Sequence, residues 1–166
     1  TEITADGSST STISVQLKDE FGNNLETGGE TVELNSTAGS LNNTTANDEG
    51  NGTYTAILTS STDASETASV SGSVNTNSIS DDATVDFVPG EIVGFQFTLP
   101  SGDQTAGVAF NIDLDAVDSQ GNLVTSFDGP VTFTSNSTIS SGSSASFSNG
   151  ELTHPITMTK ADSNAT

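Results

Sequence analysis

Carboxylates are the side chains this sequence offers most freely for chemistry. Of its 22 Asp and Glu residues, Asp19, Asp48, Asp63, Asp81, Glu91 and Asp118 stand in polar, turn-forming stretches where oxygen ligands could gather around a hard cation. Calcium would be the natural guest, since it takes roughly six to eight oxygens. Neither an EF-hand loop nor a nonapeptide calcium repeat is present. An Asp in a D-x-x-G-N turn serves equally well as the acceptor of an Asx turn. Both readings, calcium ligand and turn cap, stand at this level.

Two further groups invite catalytic readings. Asp113 and Asp115 alternate with Ile112 and Leu114, so on a strand they share one face about 7 Å apart, a spacing open to glycosidase acid–base work. No aromatic sugar platform or partner base accompanies them, and a solvated strand face is the plainer account. His154 is the only histidine, and no G-x-S-x-G elbow offers it a nucleophile. Beside Pro155, which cannot donate to a ladder, it reads as a surface or edge residue. Six Asn-x-Ser/Thr sequons occur, at Asn35, Asn42, Asn43, Asn51, Asn136 and Asn164. They barely exceed chance for a chain with 52 Ser and Thr, so they do not argue for glycosylation.

Composition narrows the choices further. The 166 residues carry a net charge of −20, with Lys18 and Lys160 the only basic side chains besides His154, and no Cys or Trp. Such a chain repels nucleic acid. It cannot build a disulfide frame, a thiolate nucleophile or a Cys-ligated zinc. No apolar run is long enough to insert in a membrane. No cofactor is expected beyond calcium. The acidity fits an extracellular protein, and also saline surroundings that screen self-repulsion. A start at Thr1 without Met suggests a processed protein or a fragment.

Any such residues must be positioned by strands. Ile13, Val15 and Leu17 alternate with polar residues. So do the stretches 31–34, 53–58, 68–74 and 83–87, with turn residues between them. No window has helical periodicity. An all-β sandwich or barrel follows. An internal repeat organises it. Shifted by 99, Ile13, Val15 and Leu17 fall on Ile112, Leu114 and Ala116, and Asp19-x-x-Gly22-Asn23 falls on Asp118-x-x-Gly121-Asn122. After one deletion Asn51-Gly52 meets Asn149-Gly150. The chain therefore divides into module 1 at 1–88 and module 2 at 89–166. The apolar run Ile92–Leu99 has no counterpart ahead of Thr1, so module 1 lacks a first strand. Module 2 lacks the counterparts of the strands at 68–74 and 83–88.

Ala5-Asp6-Gly7-Ser8-Ser9-Thr10, Val15 through Asn23 and Asn51-Gly52-Thr53-Tyr54-Thr55-Ala56 resemble the bacterial immunoglobulin-like repeats of the invasin/intimin type. Thr105 to Phe110 and Ala116 to Asn122 resemble a related surface-protein repeat. The resemblance implies tandem Ig-like Greek-key sandwiches in a prokaryotic cell-surface adhesin, non-enzymatic and rod-like. In such a sandwich three loops gather at one end, which would bring Asp19, Asp48 and Asp81 together. Across the junction, Glu91 and Asp118 would face Asp63.

The expected function is thus a stalk or fibre segment. Its partners would be neighbouring Ig-like domains or copies of itself, and a surface receptor of unknown identity. Two alternatives differ in kind. One is a filament subunit completed by strand exchange, motivated by the complementary missing strands. The other is a carbohydrate- or ice-binding module, which the scarcity of aromatics and irregular Thr spacing disfavour.

Overall fold

The computed structural model describes residues 1–135, 138–141 and 144–160. The described residues are strands, turns and loops throughout, in two compact units, Thr1–Pro89 and Gly90–Thr166. The predicted sites Asn136 and Asn164 lie outside the described residues.

Unit 1 holds β1 (Glu2–Thr4), β2 (Thr10–Gln16), β3 (Val32–Ser36), β4 (Ser40–Leu41), β5 (Asn47–Asp48), β6 (Thr53–Thr59), β7 (Thr67–Val74), β8 (Asn77–Ser78) and β9 (Ala83–Val88). One sheet runs β1-β9-β7-β3, with β8 on β7. The other runs β2-β6-β4, with β5 also on β6. Alternation decides what lies between them. Ile13 from β2 and Tyr54, Ala56 and Leu58 from β6 meet Leu34, Val70, Val85 and Phe87 from the facing sheet, and all are buried. The polar residues between them face water. Tyr54 is wholly buried, and its hydroxyl accepts the Glu30 N–H at 3.0 Å, so it offers no platform to a sugar.

β1 is a three-residue strand parallel to β9, with Glu2, Ile3 and Thr4 beside Asp86, Phe87 and Val88. It lies on the sheet opposite β2. Among the described residues no strand lies along the outer edge of β2, where the repeat would place the counterpart of Ile92–Leu99.

Unit 2 holds β10 (Gly94–Thr98), β11 (Ala109–Val117), β12 (Pro130–Thr132), β13 (Ile139–Ser141), β14 (Ser144–Ser146) and β15 (Glu151–Met158). Its sheets run β10-β11-β15-β13 and β12-β14. Ile112, Leu114, Ala116, Phe147 and Ile156 form its core. Phe95, Phe127 and Phe147 meet there, with ring centroids 5.0–5.5 Å apart. Toward the far end of β10 the cover is thin, and Phe97 and Leu99 are exposed.

Candidate functional site

The acidic turn after β2 is the best-defined polar construction in unit 1. Asp19 accepts the N–H groups of Phe21 and Asn23 at 2.9 and 2.8 Å on one oxygen, and the Asn23 amide at 2.9 Å on the other. Donated hydrogen bonds, from Asn23 above all, hold its carboxyl below the ordinary value. The counterpart in unit 2 repeats every bond. Asp118 accepts Gln120 N–H and Asn122 N–H, each at 2.9 Å, and the Asn122 amide at 3.0 Å. It then adds the Gly90 N–H at 2.9 Å. Burial pushes the Asp118 carboxyl up, but donors from Asn122, Gly90 and Gln120 outweigh it and leave the pKa lowered.

A second turn closes against the first. Gly52 accepts the Leu17 N–H at 2.9 Å, and Gly150 accepts the Ala116 N–H at 2.7 Å. Both glycines are left-handed, with φ of 82° and 77°. A Cβ on Gly52 would collide with the Leu25 carbonyl, and one on Gly150 with that of Val124. Glycine is required at both places by conformation and by space.

The other acidic candidates are turn caps or exposed residues within their own units. Asp48 accepts Gly29 N–H at 2.7 Å and Gly50 N–H at 2.8 Å. Asp63 accepts the Ser65 hydroxyl and N–H at 2.7 and 2.8 Å, which lower its pKa. Asp81 and Glu91 are exposed. No group of three or more His, Asp or Glu among the described residues is placed to hold a metal ion. Asp6 escaped the sequence search, yet its carboxyl is lowered furthest, chiefly by the Ser9 and Ser8 N–H groups. Its signal was legible, because Asp-Gly-Ser-Ser is an Asx-turn sequence.

Asp113 and Asp115 lie on the face of β11 opposite its buried Ile112 and Leu114, and Asp113 accepts the Thr153 hydroxyl at 2.5 Å. Expected at the surface, His154 instead faces inward with Leu152, Ile156 and Met158. It is half-buried and stacked on Phe133 at 5.5 Å, with a buried Nε2 that has no hydrogen-bond partner among the described residues. The edge argument from Pro155 holds only locally. β11 flanks it at Asn111, whereas β13 pairs with β15 only at Thr157 and Met158. Of the sequons, Asn42 and Asn51 spend their amide oxygens on the N–H groups of Ile57 and Thr53.

One concave feature accompanies these turns. A groove of about 580 Å³ opens between β2 and the β7–β9 rim of unit 1, lined by Ile13, Val15, Leu17, Leu34, Val70 and Ile79 among others.

The profile of the family "Invasin, domain 3" matches residues 1–90, just over half of the chain. The chain belongs to the invasin domain 3 family. Solved structures agree. It is 25% identical to the bacterial integrin-binding protein invasin, with a TM-score of 0.63, covering 96% of this chain and 33% of that one. For InvD of Yersinia pseudotuberculosis the values are 29%, 0.61, 95% and 47%. The adhesin InvE of the same organism, at 24% and a TM-score of 0.53 over 95% and 49%, shares the fold. The chain thus spans between a third and a half of these proteins. No curated protein matches it. The invasin match establishes Ig-like β-sandwich architecture and a place among extracellular adhesion proteins. The chain groups with them as a non-enzymatic module. No helix among the described residues is long and apolar enough to cross a membrane.

Proposed function

We propose that this chain is a stalk segment of a bacterial surface adhesin, its Ig-like modules acting in series to carry a binding surface outward. The observation that supports this most is the invasin domain 3 match over residues 1–90, followed in the chain by a unit that repeats the same turn bonds. Rigid turns and alternating aliphatic cores give modules of fixed form, which is what a spacer needs. The polar groups arranged with care, Asp19, Asp118 and the glycine pair, are spent on shaping backbone. A net charge of −20 keeps neighbouring stalks apart and soluble. The solved invasin is described as integrin-binding. For this chain's parent protein the corresponding partner is a protein receptor on another cell, contacted elsewhere than at these turns.

The test is replacement in the parent protein. Deleting the segment should weaken cell attachment, and an unrelated Ig-like pair of equal length should restore it. Loss of attachment in both variants would assign receptor contact to this segment and refute the stalk role.

A further inference from the structure

We propose that Asn51 is a site of spontaneous deamidation, a slow chemical clock that converts it to aspartate and isoaspartate and loosens unit 1 while sparing unit 2. The inference does not depend on the stalk reading.

Asn51-Gly52 and Asn149-Gly150 are the two Asn-Gly pairs of the chain, and they occupy equivalent turns. A glycine successor leaves its backbone nitrogen open to the asparagine side chain, since no Cβ stands in the way. Both asparagines are exposed, and both glycines are buried and left-handed. On these terms the two sites would react alike. Their hydrogen bonds separate them.

In unit 2 the groups that the reaction needs are engaged elsewhere. The Gly150 N–H donates to the Phe127 carbonyl at 3.0 Å, and the Glu151 N–H to that of Ser148 at 3.1 Å. In unit 1 the Thr53 N–H donates to Asn51 Oδ1 at 3.0 Å. The Gly52 N–H has no acceptor among the described residues. The shift of 99 puts Gly28 in the place of Phe127, and Gly28 lies against the Asp48 carboxylate. The Gly52 nitrogen thus has no bond to give up before it reacts. The Thr53 N–H draws electrons from the Asn51 amide and faces the oxygen on which negative charge develops.

The step balances with water alone. Hydroxide takes the Gly52 N–H proton, and the nitrogen attacks Asn51 Cγ. The Cγ–Nδ2 bond then breaks, and Nδ2 leaves as ammonia with a proton from water. The cyclic imide so formed takes up one water. Opening at Cγ gives aspartate. Opening at the main-chain carbonyl gives isoaspartate, whose backbone runs through Cβ and Cγ and is one atom longer. Nothing is oxidised or reduced.

Gly52 has no slack for that extra atom. Its carbonyl accepts the Leu17 N–H at 2.9 Å and the Gln16 side-chain amide at 3.2 Å. A Cβ at this place would already collide with the Leu25 carbonyl. Displacing Gly52 frees both donors and undoes the closure of the second turn on the first.

In the test, the folded chain is held at neutral and at mildly alkaline pH and digested at intervals. Mass spectrometry then follows the two Asn-Gly peptides side by side. Asn51 should convert about tenfold faster than Asn149, the worth of one hydrogen bond expressed as a rate, and faster still at the higher pH. In urea the two sites should converge. Equal rates in the folded chain, or no conversion at Asn51, overturn the proposal. So does a lead of Asn51 that persists unchanged in urea, because it would trace to neighbours in sequence. The isoaspartyl form purified from the aged sample should exchange the Leu17 amide about tenfold faster, with Ala116 unchanged. Asn51→Asp carries the new charge without the longer backbone and should keep Leu17 protected. Protection of Leu17 retained in the isoaspartyl form would overturn the loosening of unit 1.

Discussion

The Asp118 carboxylate accepts the Gly90 N–H at 2.9 Å, tying the residue that opens unit 2 to the turn after β11. Asp19 makes the same three bonds within its own turn, and it is exposed where Asp118 is 4% exposed. The motif shapes a turn in both units, and in unit 2 it also anchors the incoming chain.

Asp118→Asn should expose the difference. Asparagine retains the shape but presents an amide to donors that need an acceptor, leaving buried N–H groups unpaired. A loss of about 2 kcal/mol is expected for unit 2, read as faster amide exchange throughout β11 and β15. Asp19→Asn should cost less and leave unit 2 unchanged. Equal losses would mean that the Gly90 bond contributes nothing.

The glycine pair makes a sharper contrast. Gly52→Ala meets both a positive φ and the Leu25 carbonyl, so unit 1 should lose more than about 2 kcal/mol. Gly22→Ala meets a φ of 86° with open space around it, and should cost only about 1 kcal/mol. Urea midpoints of the two variants measure the difference. Similar losses would remove the steric part of the argument.

Acid should act through the lowered carboxylates. Asp6, Asp19, Glu49, Asp63 and Asp118 all have folded pKa values below their unfolded ones. Their contribution is complete above the ordinary Asp and Glu values of 3.8 and 4.5 and disappears as pH falls through the lowered folded values. Protonation also relieves self-repulsion, which acts in the opposite direction. In about 1 M NaCl the Debye length is about 3 Å and that relief is small. The Tm should then stay level from pH 7 to 5 and fall below pH 4, less steeply in Asp6→Asn. A Tm that rises below pH 4 at high salt would refute the capping account.

Much of this was legible because it is local. Alternation of Ile13, Val15 and Leu17 gave a strand and its inward face, and Asp19-x-x-Gly22-Asn23 with its copy gave both turns. What stayed hidden depended on distant partners. β1 is three residues long and exists through parallel pairing with β9, more than 80 residues away, so no local pattern marks it. The orientation of His154 was available from its alternation with Leu152 and Ile156. Pro155 drew attention to the edge instead, and the edge is real only where β13 stops short. The gathering of Asp19, Asp48 and Asp81 into a calcium site was an inference from loop placement. Loop placement alone does not show that Asp19 and Asp48 also accept backbone N–H donors.

That occupancy leads to a prediction about calcium. Asp19, Asp48, Asp63 and Asp118 already accept N–H or O–H donors, with which a cation would have to compete for the same oxygens. Millimolar calcium should raise the Tm no more than magnesium at equal ionic strength. The cost of Asp118→Asn should be the same with calcium or with a chelator. A calcium-specific rise that Asp19→Asn or Asp118→Asn abolishes would restore the ligand reading.

His154 tests the inner face of unit 2. Its Nε2 is buried without a partner among the described residues while the ring stacks on Phe133, so the polar atom is a cost and the ring a gain. His154→Phe keeps the stacking and removes the unpaired nitrogen. The side chain is only half-buried, which leaves room for the slightly larger ring. Stability of unit 2 should rise by about 1 kcal/mol, whereas His154→Ser, which loses the stacking and brings its own polar group inward, should lower it. Both changes would be followed by amide exchange of Ile112 and Ile156, the buried neighbours on paired strands. A fall in protection with phenylalanine would mean that the nitrogen has a partner in solution and that the inner face is wetter at this point than its packing indicates.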